Sequence, residues 1–191
     1  MYEVELTTTE TYIVRRKDEV TGRSWWLANI MIVEANGMLT INSDYGTFSY
    51  FWGTGGRAKG NTFKQELIRF NSDYVEDKFS YNDNLGRYFY FDKTVAAIKR
   101  DLFEMRRNRD LNEEDARDLY EQICDLEETE SSDLFFAYFM EKDISKCVYN
   151  NDYHAIPCRT GNHPRLKAFM REVWPAFHAQ LVENEKMKES A

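Results

Sequence analysis

The sequence is short of cysteine, of proline, of long apolar runs and of positive charge, and each shortage excludes something. Three cysteines, Cys124, Cys147 and Cys158, are too few and too unevenly placed for a disulfide scaffold and point to a reducing compartment. Three prolines beside 13 Phe, 12 Tyr and 4 Trp argue against disorder, because so many rings need a core to bury them. No stretch approaches the roughly 18 apolar residues that cross a bilayer. The opening residues, Met1 to Glu5, lack the basic and apolar regions of a signal peptide. Neither membrane association nor export is therefore expected. A net charge of −8 argues against unaided binding to phosphate backbones, so direct nucleic-acid binding is not expected either.

What is present is a clear change of pattern along the chain. Residues 1–61 read mainly as strand. Tyr12 to Arg16 alternates, Asp18 to Arg23 carries a turn signal, and Ser24 to Glu34 is apolar enough for a central strand. Asn36-Gly37 predicts a two-residue type I′ hairpin turn. Leu39–Ser43 is the return strand, Asp44 is expected to close the next turn through its side chain, and Thr47–Trp52 places Phe48, Tyr50 and Trp52 on one face.

Residues 62–191 read mainly as helix. Thr62 and Gln65 form a capping box, Ser72 is expected to cap a second short helix, and Asp92 a long one carrying Val95, Ile98, Leu102 and Met105. Asn112 caps the next helix. Leu134 to Phe139 reads as continuously buried. Asp143 to Gly161 reads as irregular, and Pro164 opens a C-terminal helix that Pro175 kinks and that frays after Glu183. The whole predicts a single α+β domain over 1–191: an N-terminal antiparallel meander of about four strands with helices packed on one face.

The charge is unevenly placed. Residues 87–109 hold 7 basic and 3 acidic side chains, whereas 110–130 hold 10 acidic and one basic, Arg117. Ten carboxylates over 21 residues of helix give roughly one charge per 3 Å of axis, close to the spacing along a single nucleic-acid strand. Glu113, Glu114, Asp118, Glu121, Asp125, Glu127 and Glu128 are thus candidates for contact with a basic, nucleic-acid-binding surface. The competing reading is a solvated helix face paired with Arg106, Arg107 and Arg109, an arrangement that contributes about 0–1 kcal/mol per pair.

Several weaker constellations stand beside this one. Cys147, His154, Cys158 and His163 are possible zinc ligands, although their spacing matches no common finger and no other cofactor is expected. Cys158 with His154 or His163 is a conceivable nucleophilic pair, and Asp44 with Tyr45 a conceivable acid–base pair. The Gly53–Gly60 run, with Arg57 and Lys59, could cradle a phosphate. The aromatic set Trp25, Trp26, Tyr45, Phe48, Tyr50, Phe51 and Trp52 reads mainly as core.

The stretch Leu39 to Gly53, the group Gly55, Gly56 and Arg57, Phe63 to Leu67 with Tyr74, Asp92 to Lys99, and the pair Trp174 and Pro175 together resemble a family of small proteins encoded by tailed bacteriophages and prophages. The resemblance covers about residues 25–105 and the last helix. It implies an accessory phage protein acting in the cytoplasm of a bacterial host, and it supplies no catalytic residues. Phage accessory genes often encode inhibitors of host defence. The expected function is therefore an anti-CRISPR-like binding protein whose partner is a host defence complex with a basic surface. A small metal- or Cys/His-dependent hydrolase or nuclease and a self-associating assembly factor are the alternatives.

Overall fold

The computed structural model describes residues 7–53, 60–82 and 87–189. Its fold is α+β, and the chain divides into two compact units: residues 1–86 with 162–191, and residues 87–161.

The first unit is built on a four-stranded antiparallel sheet in the order β1 (Glu10–Lys17), β2 (Ser24–Val33), β3 (Met38–Ser43) and β4 (Gly46–Phe51). Alternation decides its faces. Tyr12, Ile30, Ile41 and Phe48 stand opposite one another across all four strands, and Ile30, Ile41 and Phe48 are essentially inaccessible. The covering is supplied by α1 (Phe63–Arg69), α2 (Ser72–Asn82), α7 (Pro164–Glu172) and α8 (Trp174–Glu189). Phe63, Leu67, Val75, Phe79, Phe169, Trp174 and Phe177 join the sheet residues in one core. The Phe48 ring lies 5.7 Å from that of Phe169, and the Tyr12 ring packs edge-on to Phe177 at 5.3 Å. Each fully buried side chain of this size contributes about 1.5–3 kcal/mol.

Several local expectations are corrected. The β2–β3 connection is a four-residue loop rather than a type I′ turn, with Val33 opposite Met38. Only Gly37 takes positive φ (73°) there, and Asn36 instead accepts from the Met38 amide at 3.1 Å through its side chain. Glu34, in that loop, accepts from the amides of Phe63 and Lys64 at the start of α1. In the next turn the closing side chain is Ser43, whose hydroxyl donates to the Gly46 carbonyl at 2.7 Å.

The α1 capping box is as expected, but α2 is capped by Asn71, one residue earlier than predicted, through the Tyr74 amide at 2.7 Å. Pro175 does not kink one helix. It lies in the first turn of α8, and the break falls at Val173, between α7 and α8. The tail stays helical to Glu189 because Leu181 is buried and Glu185 pairs with Lys188 (2.9 Å) and with the buried Lys64 (3.7 Å).

The second unit is helical and has a core of its own. It contains β5 (Tyr88–Phe89), α3 (Phe91–Asn108), α4 (Glu113–Cys124), α5 (Ser132–Met140), α6 (Asp143–Tyr149) and β6 (Thr160–Gly161). β5 pairs with β6, so the chain enters and leaves side by side. A Cβ on Gly161 would lie 3.0 Å from the Tyr90 ring. Phe89, Ile98, Leu102, Ile123, Phe135 and Phe139 are central to the core.

The N-cap of α3 is Tyr90, without a side-chain bond, rather than Asp92. Residues 143–149 are helical, not irregular, and Asn150 ends that helix at φ 52°. In α5 the burial is periodic: Phe135, Phe136 and Phe139 are buried, while Leu134 and Tyr138 face solvent.

Replacing Trp174, 1% exposed, by alanine should lower unfolding free energy by about 3–5 kcal/mol. Phe51→Ala, at 56% exposure, should change it by no more than about 0.5 kcal/mol. Guanidinium unfolding of the two variants measures the difference directly.

Candidate functional site

The acidic segment forms α4 and the coil that follows it. Asn112 caps the helix, its side chain accepting from the Asp115 amide at 2.9 Å. Glu113, Glu114 and Asp115 fill the first turn, where the helix dipole favours negative charge. The buried positions are Leu119 and Ile123, with Ala116 half-buried. That side of the helix fixes what the other side presents.

Glu114, Asp118, Glu121 and Asp125 recur at i, i+4, i+7 and i+11 and are all exposed. They line one solvent-facing stripe. The stripe is about 16 Å long, with a carboxylate every 5 to 6 Å, about. This is sparser than the segment-wide count suggests, because the remaining acids leave the line. Glu113 turns to the flank and pairs with Arg117 at 3.4 Å. Asp115 accepts from the Asn112 side chain at 2.7 Å. Glu127 and Glu128 are exposed in the coil beyond the helix.

The pairing that would have reduced this surface to a neutralised helix face is not made. Among the described residues, Arg117–Glu113 is the ion pair of the segment, and Arg106, Arg107 and Arg109 reach no carboxylate within 4.0 Å. Arg109 instead ends α3 in the left-handed region, at φ 66°.

Beside the stripe runs a groove between α3 and α4 that sequence reasoning did not single out. Its volume is about 390 Å³, and Leu102, Phe103, Ala116 and Tyr120 line it with Arg106, Glu113 and Arg117. The Phe103 and Tyr120 rings are 5.8 Å apart, and the Lys99 ammonium sits 4.8 Å from the Tyr120 ring centre. The signal in the sequence was Phe103 itself, an aromatic off the apolar stripe of its helix.

The four candidate zinc ligands have different local settings. Cys147 is exposed on α6. His154 lies in a turn, its amide donating to Asp152 at 2.9 Å. Cys158 is exposed in the coil before β6, and partial desolvation pushes its thiol pKa up, which disfavours the thiolate that nucleophilic attack requires. His163 belongs to the other unit and caps α7, its Nδ1 accepting from the Arg165 amide at 3.1 Å. Among the described residues no three His, Cys, Asp or Glu side chains form a group able to hold a metal ion. Of the pair Asp44 and Tyr45, Tyr45 donates to Glu172 at 2.5 Å. Most of the Gly53–Gly60 run lies outside the described residues. Among those described, no helix is long and apolar enough to cross a membrane.

Residues 2–183 match the model of a family described as a phage family. The chain belongs to that phage family. The match takes in both compact units of this phage protein, and with them the acidic helix. No curated protein and no solved structure matches it significantly.

Because the stripe carboxylates are exposed and form no ion pair among the described residues, reversing all four (Glu114→Lys, Asp118→Lys, Glu121→Lys and Asp125→Lys) should leave the fold intact, each change costing about 0.5 kcal/mol or less except Glu114→Lys, in the first turn, at about 1 kcal/mol. Far-ultraviolet circular dichroism should match the parent, and the thermal midpoint should fall by no more than about 10 °C. Arg117→Ala should cost about 0.3–0.5 kcal/mol, the worth of an exposed helical pair.

Proposed function

We propose that this phage protein is a non-enzymatic binding protein that acts in the host cytoplasm and inhibits a bacterial defence complex, in the manner of an anti-CRISPR protein. The acidic face of α4 occupies a basic groove that the complex uses for nucleic acid. The observation that carries this reading is the stripe of Glu114, Asp118, Glu121 and Asp125, exposed together and without cationic partners among the described residues.

A surface of this kind offers fixed negative charge to a groove built to hold phosphates. Its four carboxylates are pre-positioned by helix geometry, so no backbone ordering is needed on contact. Attraction over a Debye length of about 8 Å at physiological salt steers encounter, and it contracts to about 3 Å at 1 M. Complementarity of this type raises association rates more than it raises final affinity. Glu127 and Glu128, exposed in the coil beyond the helix, extend the contact. Membership of the phage family supports a target in the bacterial host.

Tagged protein incubated with host lysate should retain a nucleic-acid-binding complex at low ionic strength and release it near 1 M salt, about the range over which screening removes the attraction. The fourfold charge reversal should abolish retention while remaining folded. Retention that survives the reversal, or that is indifferent to salt, overturns the reading.

A further inference from the structure

The first unit holds a cavity of about 590 Å³ at the end of its sheet, independent of the acidic helix. It forms where the β1–β2 register shifts. Val14 stands opposite Ala28 and Arg15 opposite Trp26, so Leu27 has no partner on β1. Such a bulge bends the strand and re-aims neighbouring side chains. Strict alternation would send Arg15 and Arg16 to opposite faces, yet both line this cavity. Its apolar part is Val14, Leu27 and Ala176, and Tyr45 and Glu172 complete the wall.

The charges in the wall are unequal. Glu172 is already engaged on both oxygens: the Tyr45 hydroxyl donates to one and Arg171 pairs with the other, each at 2.5 Å. The bond to Glu172 pushes the Tyr45 pKa up, so the phenol remains neutral and its oxygen keeps acceptor capacity. Arg15 and Arg16 form no ion pair among the described residues. Arg15 and Arg16 share this wall with one carboxylate, that of Glu172, whose two oxygens Tyr45 and Arg171 already take up. The two guanidinium groups suit an anion that takes planar, forked hydrogen bonds.

We propose that this cavity binds a small organic phosphate, its phosphate held by Arg15 and Arg16 and its apolar ring packed on Val14, Leu27 and Ala176. Two cationic forks match a group carrying about −1.5 to −2 charges at neutral pH better than they match a carboxylate. The volume falls within the range of small-ligand sites, roughly 300–1,000 Å³. The Tyr45 oxygen is placed to accept a hydrogen bond from the ligand's body.

The test is titration calorimetry of the full chain with phenyl phosphate, with inorganic phosphate and benzoate as comparison arms. Saturable binding of phenyl phosphate is expected, with each comparison arm weaker by about tenfold or more, the cost of losing a charge-assisted contact or a buried ring. Arg15→Ala with Arg16→Ala should weaken phenyl phosphate by a similar factor or more at unchanged thermal midpoint. If that variant fails to fold, the Arg15→Lys and Arg16→Lys pair, which keeps charge but loses the fork, should still weaken it. The fourfold α4 reversal should bind phenyl phosphate as the parent does, which separates this site from the acidic surface. Absence of saturable binding, equal binding of benzoate, or affinity unchanged in the arginine variants would overturn the proposal.

Discussion

A four-stranded sheet with one apolar face cannot stand in water, and the first unit is the answer to that constraint. Ala28, Ile30, Ile32, Leu39, Ile41 and Phe48 are hidden only because helices lie over them. Two of those helices follow the sheet directly, and two come from the far end of the chain. The aromatic contacts of Phe48 with Phe79 and Phe169, and of Tyr12 with Phe177, join both pairs to the strands. A dense set of rings thus does the work that disulfides or metals do in smaller domains.

The second unit solves a different problem. Its own core takes up Ile98, Leu102, Leu119 and Ile123 from the inner sides of α3 and α4, and the sequence puts opposite charge on the two helices. Because Arg106, Arg107 and Arg109 form no ion pair among the described residues, the charge division visible in composition persists in space instead of cancelling. The field of such a surface is a property of the arrangement, not of the net charge.

Much of this was legible beforehand where a local signal has a local cause. Alternation in Leu39–Ser43 and Thr47–Trp52 placed two strands and their inner faces, and the caps at Thr62 and Asn112 placed two helix starts. Misreadings arose where two nearby residues could do the same job. Asn71 rather than Ser72 caps α2, and Gly37 alone takes the left-handed conformation that Asn36-Gly37 appeared to share. Helix α6 was missed because seven residues show barely two turns of periodicity. The acidic residues could be listed from sequence, but the stripe within them follows from where Leu119 and Ile123 are buried. The cavity at Arg15 and Arg16 was invisible, since it depends on a register shift between strands and on α7, which arrives 150 residues later, about.

The pairing of β5 with β6 has a further consequence for how the chain matures on the ribosome. Residues 87–161 are contiguous, so every residue of their core has emerged before α7 is made. The sheet, although made earlier, lacks α7 and α8 until residues 164–189 have followed. At about 5–20 residues per second, the sheet's apolar face waits some seconds for its cover while the later segment closes around its own core. The sheet is therefore finished after the segment that follows it, and its apolar face is open to chaperones and proteases during that interval.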